Sequence, residues 1–161
     1  MDAIELERQR RLSAVHEASH LVVWLMLGQR MDGQNDAITI KPPNGKNGDW
    51  SWTFHAETKE MARQSARDLA VALFAGHLGE LTMDPDSSPY YGEDDRLHAR
   101  KIIARYAPAE NLPRLYEEAG DLVRRFQDII WKFADELLKR ETIPGLECEE
   151  LLQELLRCVT H

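Results

Sequence analysis

The sequence predicts a mainly helical α+β fold: a single domain of long helices carrying one small antiparallel β-sheet and ending in a C-terminal helical segment. Apolar residues recur at helical spacing over most of the 161 residues. Strand-like alternation is confined to one stretch, "DAITIKPPNGKNGDWSWTFHA" at 36–56. Clusters of Pro, Gly, Asp and Ser at 83–93, 107–113 and 144–145 cut the rest into helix-length pieces.

The elements follow in order. A first helix spans about 4–28, with Ile4, Leu12, Val15, Leu21, Val22, Leu25 and Met26 as its apolar positions and Gly28 at its C-terminal end. Beyond His20 it is almost wholly apolar, so that half should be deeply buried. In the alternating stretch, Ile38 and Ile40 share one face of a short strand, and Trp50, Trp52 and Phe54 share one face of another. "PPNGKNG" between them is turn chemistry, which predicts a hairpin. Thr58 is placed to cap a helix over about 58–83, and "MDPDSSPYYGED" is a polar loop leading to a helix over about 94–106. One long amphipathic helix over about 113–141 follows, then "PG" and a last helix over about 146–159. The division expected within the single domain 1–161 is a core of 1–106 and a C-terminal helical part of 107–161.

Composition excludes several classes. A formal net charge of -8 argues against a nucleic-acid partner. Arg8, Arg10 and Arg11 are the one dense basic patch, and they alternate with Glu5 and Glu7 as a solvated face would. Cys148 and Cys158 fall ten positions apart on one predicted helix, roughly 15 Å along its axis, too far to bridge. The apolar run after His20 is about eight residues, against the ~20 needed to span a bilayer. A cytoplasmic chain without a membrane span is the expectation.

Chemistry concentrates in "AVHEASHLVV" at 14–23. Residues four apart project from the same face of a helix, so His16 and His20 can both reach one tetrahedral Zn²⁺. Glu17 is offset by one position, beside the metal rather than at it. That offset suits a general base acting on a water that zinc has acidified. Catalytic zinc needs a third protein ligand, for which His77, Glu80, Asp94, Asp95 and His98 are candidates; spacing does not choose among them.

The segments "AVHEASHLVVWLMLG", "AITIKPPNG", "FAGHLGEL", "GEDDRLHARKI" and "ADELLKRETIPGLECEELL" occur in the order and at the spacings of another protein's domain. The chain resembles, over nearly its whole length, the peptidase domain of FtsH, the membrane-anchored ATP-dependent zinc protease. The resemblance implies a helical zinc-peptidase domain in which His16 and His20 bind zinc and Glu17 is the catalytic base. The family's third ligand is an aspartate opening a helix, four positions before an alanine. Matched onto this chain, Gly92, Asp94 and Ala99 hold the flanking places and Asp95 the ligand place. Glu80 falls where a carboxylate could support one of the histidines. Ser19 replaces a glycine usual in the family, and no GxxxxGK[ST] motif occurs, so the chain is expected to act without a motor of its own on flexible or unfolded polypeptides, or with a separate ATPase as partner.

The strand at 37–41 lies next to the site in that family, which makes Ile38, Thr39 and Ile40 the expected substrate-binding edge. His77 is expected to be a buried, hydrogen-bonded histidine, His98 exposed, and Tyr90 and Tyr91 packed in their loop. The competing class is a regulatory or binding module that keeps the zinc but not turnover. The intact Glu17 speaks against it, because a structural zinc has no use for a carboxylate beside an open position. A zinc hydrolase of non-peptide amides would share the same metal site.

Overall fold

The computed structural model describes residues 2–31, 36–40, 49–50 and 59–159. Its elements are α1 (Ala3–Met26), β1 (Ala37–Thr39), β2 (Asp49–Trp50), α2 (Lys59–Met83), a 3₁₀ turn (Pro89–Gly92), α3 (Glu93–Tyr106), α4 (Leu112–Arg125), α5 (Gln127–Arg140), β3 (Thr142–Pro144) and α6 (Gly145–Val159). The mainly helical expectation holds. The proposed turn at 42–48, the side chains of Trp52 and Phe54, and the Thr58 cap lie outside the described residues.

Local chemistry sets the helix ends. Asp2 caps α1 by accepting from the backbone N–H of Glu5 at 2.8 Å. Gly28, at φ +86°, closes its far end, a backbone conformation that costs a side-chain-bearing residue far more than glycine. Asn111 caps α4 by accepting from Arg114 N–H at 3.1 Å.

From Ala14 to Trp24 every residue of α1 is buried, His16, Glu17, Ser19 and His20 included. A helix buried all round must be enclosed, and α2 and α5 both pack directly on it. α2 in turn receives α3 and α4. The predicted single helix over 113–141 is two: it breaks at Phe126, whose φ of -106° and ψ of 17° leave the α region. One straight rod cannot follow both surfaces, since the first half packs on α2 and the second on α1. The 107–161 part shares the apolar core with the rest of the domain. Its Leu115, Phe133, Leu137 and Ile143 belong to the same apolar cluster as Val15, Leu21 and Leu69.

The expected antiparallel pairing of β1 with β2 is present, and a strand from far along the sequence joins it. β3 is a third strand, and the order is β2-β1-β3, antiparallel throughout. Ile38 pairs with Trp50 on one side and Ile143 on the other. The expectation that Ile38, Thr39 and Ile40 form a free substrate-binding edge is thereby corrected: β1 is the central strand and its hydrogen-bonding groups are engaged on both sides. Ile38 is fully buried, Thr39 Oγ1 donates to the Glu141 carbonyl at 3.1 Å, and Ile40 N–H donates to the same carbonyl at 2.9 Å.

α1 and α2 approach closely where Ser19 meets Gly79. Ser19 Oγ donates back to the Val15 carbonyl at 2.6 Å, and a Cβ on Gly79 would overlap that hydroxyl. Gly79→Ala should therefore destabilise the protein by about 1–3 kcal/mol, the usual range for overpacking. Adding Ser19→Gly should recover most of the loss, a coupling that thermal unfolding of the two single variants and the double variant measures. Additive losses would show that the two residues do not meet.

Both cysteines lie on α6. Burial pushes the Cys148 thiol up to about 12, while Cys158 is exposed. Iodoacetamide at neutral pH should alkylate Cys158 and spare Cys148 until the protein unfolds, which peptide mass spectrometry reads.

Candidate metal centre

Two helices deliver three donors to one point. α1 contributes His16 and His20 one turn apart, their rings edge to face with centroids 4.6 Å apart. α3 contributes Asp95 from its first turn, where the helix dipole favours a carboxylate. Asp95 Oδ2 lies 3.0 Å from His16 Nε2 and 3.1 Å from His20 Nε2, and the two Nε2 atoms are 3.0 Å apart. Among the described residues, these are the one group of His, Cys and acidic side chains close enough to share an ion.

The far side of each ring shows what faces the centre. His20 Nδ1 lies 2.7 Å from the Ala72 carbonyl of α2, which can only accept, so the proton of the neutral ring is on Nδ1. His16 Nδ1 meets Glu80 Oε1, also on α2, and donates to that carboxylate. Both Nε2 atoms then present lone pairs, and the third atom is a carboxylate oxygen. Three acceptors at van der Waals separation or less repel unless a cation stands among them. A tetrahedral zinc with bonds of about 2.0–2.1 Å needs donors about 3.3–3.4 Å apart, so the triangle fits the ion after opening by a few tenths of an ångström.

The electrostatics show the same demand for positive charge. Burial by itself would depress the His16 imidazolium; hydrogen bonds to Asp95 and Glu80, with the charges of Glu17 and Glu80, overcome it and raise its pKa to about 10. Burial pushes the Asp95 carboxyl up, but the two imidazoles more than reverse this and hold it well below the usual carboxylate range. Glu80 resists its own burial in the same way, through its hydrogen bond with His16.

α2 shapes the floor. A Cβ on Gly76 would stand 2.5 Å from His20 Nε2 and 2.7 Å from His16 Nε2, so only glycine leaves the imidazoles in place. Glu80 is 4% exposed, and its second oxygen accepts from Ser87 Oγ at 2.6 Å. Glu17, 7% exposed, sits next to His16 in sequence and close enough for its charge to act on that ring.

No protein-family model matches this chain, and neither does any curated protein. The structure brings together His16, His20 and Asp95 and places Glu80 on His16. Asp94 is exposed and outside the triad. His77 is buried, as expected, with Nδ1 3.7 Å from Glu80 Oε2, beyond hydrogen-bonding range. His98 is half-buried rather than exposed, and neither histidine joins the triad. Tyr90, expected to pack in its loop, is 74% exposed, and the side chain of Tyr91 lies outside the described residues. The sequence reading missed Gly76 and Ser87. Gly76 was within reach of it, because Ala72, Gly76 and Gly79 form a small-residue face of α2 at helical spacing.

The metal-free protein should carry the signature of the raised His16 pKa. Its contribution to stability is complete below the ordinary value of 6.5 and is lost as pH climbs toward about 10. Asp95 contributes in the opposite sense, fully above its ordinary 3.8 and fading as pH falls through its depressed value. Zinc competes with protons for the same lone pairs and gains with pH. The difference in Tm between zinc-loaded and chelator-treated protein should thus widen from pH 6 to pH 9, and a constant difference would contradict the assignment.

Proposed function

We propose that the protein is a zinc-dependent endopeptidase that hydrolyses flexible or unfolded polypeptides, with His16, His20 and Asp95 holding the ion and Glu17 as general base. The observation that carries this reading is the meeting of two imidazole lone pairs and one carboxylate oxygen beside a buried glutamate that is not itself a donor. Two nitrogens and one oxygen, with no thiolate, are the donor set of a hydrolytic zinc with an open position. When bound there, the ion supplies a Lewis acid for a carbonyl and brings a water's pKa near neutrality.

The remaining work belongs to the chain. Glu17, as a carboxylate, accepts the proton of the attacking water and returns it to the leaving amine. Glu80 keeps the His16 proton on Nδ1, so that Nε2 stays a donor toward the centre, and the Ala72 carbonyl does the same for His20. Burial of α1 around these residues lowers the local dielectric and strengthens each of these interactions. Among the described residues no helix is long and apolar enough to cross a membrane. The resemblance to the FtsH peptidase domain supports the same reading and suggests that a separate ATPase would deliver folded substrates.

Two experiments test it. Zinc-loaded protein should hydrolyse casein or an unstructured peptide, and Glu17→Gln should retain the metal while losing at least about 10²-fold in rate, the low end for a general base. Equal, negligible rates for both, with zinc retained, would favour a binding module. Asp95→Ala should release zinc and Asp94→Ala should keep it, as metal analysis after dialysis would show; the reverse would move the ligand one residue upstream.

A further inference from the structure

We propose that Ser87 is a positioning residue for the metal centre, acting through Glu80 to hold His16 while anchoring the segment that delivers Asp95. The proposal rests on the metal-centre reading above and extends it to a loop residue that contributes no donor to the ion.

Ser87 lies in the loop after α2 and is 7% exposed. Its hydroxyl donates to Glu80 Oε2 at 2.6 Å, and the other oxygen of that carboxylate engages His16 Nδ1. Glu80 is thus held at both oxygens, one by the loop and one by the histidine. A carboxylate gripped at one oxygen only can pivot about its last torsion. One gripped at both has a fixed plane, and the imidazole it holds is fixed with it. His77 cannot stand in for Ser87, since its Nδ1 is 3.7 Å from the same oxygen.

The loop is anchored on its other side as well. Ser87 N–H donates to the Asp84 carbonyl at 3.0 Å, Asp86 N–H to Asp84 Oδ1 at 3.1 Å, and Arg8 of α1 pairs with the Asp84 carboxylate. Beyond Ser87 the chain turns through Pro89–Gly92 into α3, with Arg96 donating to the Pro89 carbonyl at 2.6 Å. Gly92 lies against His77, where a Cβ would come within 2.7 Å of the His77 Cβ. Ser87 therefore stands where the orientation of one ligand, His16, and the path toward another, Asp95, are joined by one hydroxyl.

Zinc affinity, measured by competition with a chelator, tests this in wild type, Ser87→Ala, Glu80→Gln and the double variant. Ser87→Ala should weaken zinc binding about 10–100-fold, the range typical of groups that orient a metal's ligands. Its Tm in chelator should fall only modestly, by what one lost hydrogen bond to the buried Glu80 carboxylate costs. In the Glu80→Gln background, Ser87→Ala should cost little more, because its effect passes through that carboxylate. Unchanged affinity in Ser87→Ala, or an equal loss with and without Glu80, would overturn the proposal while leaving the metal centre intact. A Tm loss in chelator with unaltered zinc affinity would make Ser87 a loop staple and overturn it too. A wild-type protein that takes no zinc would overturn both this proposal and the reading beneath it.

Discussion

Two imidazole lone pairs of the buried α1 and a carboxylate oxygen from the first turn of α3, gathered within about 3 Å of one another, are the constraint around which the rest of this molecule is arranged. Such a gathering is unfavourable on its own terms. Both imidazoles have left water, Asp95 has lost most of its contact with it, and none can hydrogen-bond another without an added proton. A cation turns the repulsion into attraction, and the surrounding protein is built so that the three atoms cannot drift apart in its absence. The far nitrogens are tied to α2, one through a backbone carbonyl and one through Glu80.

That requirement explains features with no reason of their own in the apolar core. α1 is buried from Ala14 to Trp24 although it carries His16, Glu17, Ser19 and His20, because α2 and α5 must enclose the site to hold it. α2 offers glycine at 76 and 79, where the imidazoles and the Ser19 hydroxyl come closest. α3 begins where an aspartate in its first turn can reach both histidines. Local rules of helix design, which favour alanine over glycine and keep polar groups outside, yield here to the site.

The sequence made the central chemistry legible and left its supports in shadow. An HExxH on an apolar helix marks two candidate ligands and a candidate base by its spacing, and the helical pattern carried the class of fold. Asp95 could be preferred over Asp94 only through a family resemblance, since both stand in the same first turn. β3 escaped notice because "TIP" is three residues long and has no alternation to detect, and missing it turned the central strand β1 into a supposed free edge. The break at Phe126 was equally silent: "RRFQD" contains no Pro or Gly, and what bends the chain there is the need to cover α2 with one half and α1 with the other. Ser87 could not be singled out, because a serine in a polar loop gains meaning only when a buried carboxylate proves to be its partner.

Zinc X-ray absorption on protein loaded with one equivalent of metal reads most directly what surrounds a bound ion. Nitrogen and oxygen neighbours only are expected, at about 2.0–2.1 Å, with the outer-shell scattering of two imidazoles. A sulfur neighbour at about 2.3 Å, a single imidazole, or no retained zinc would contradict the assigned ligand set.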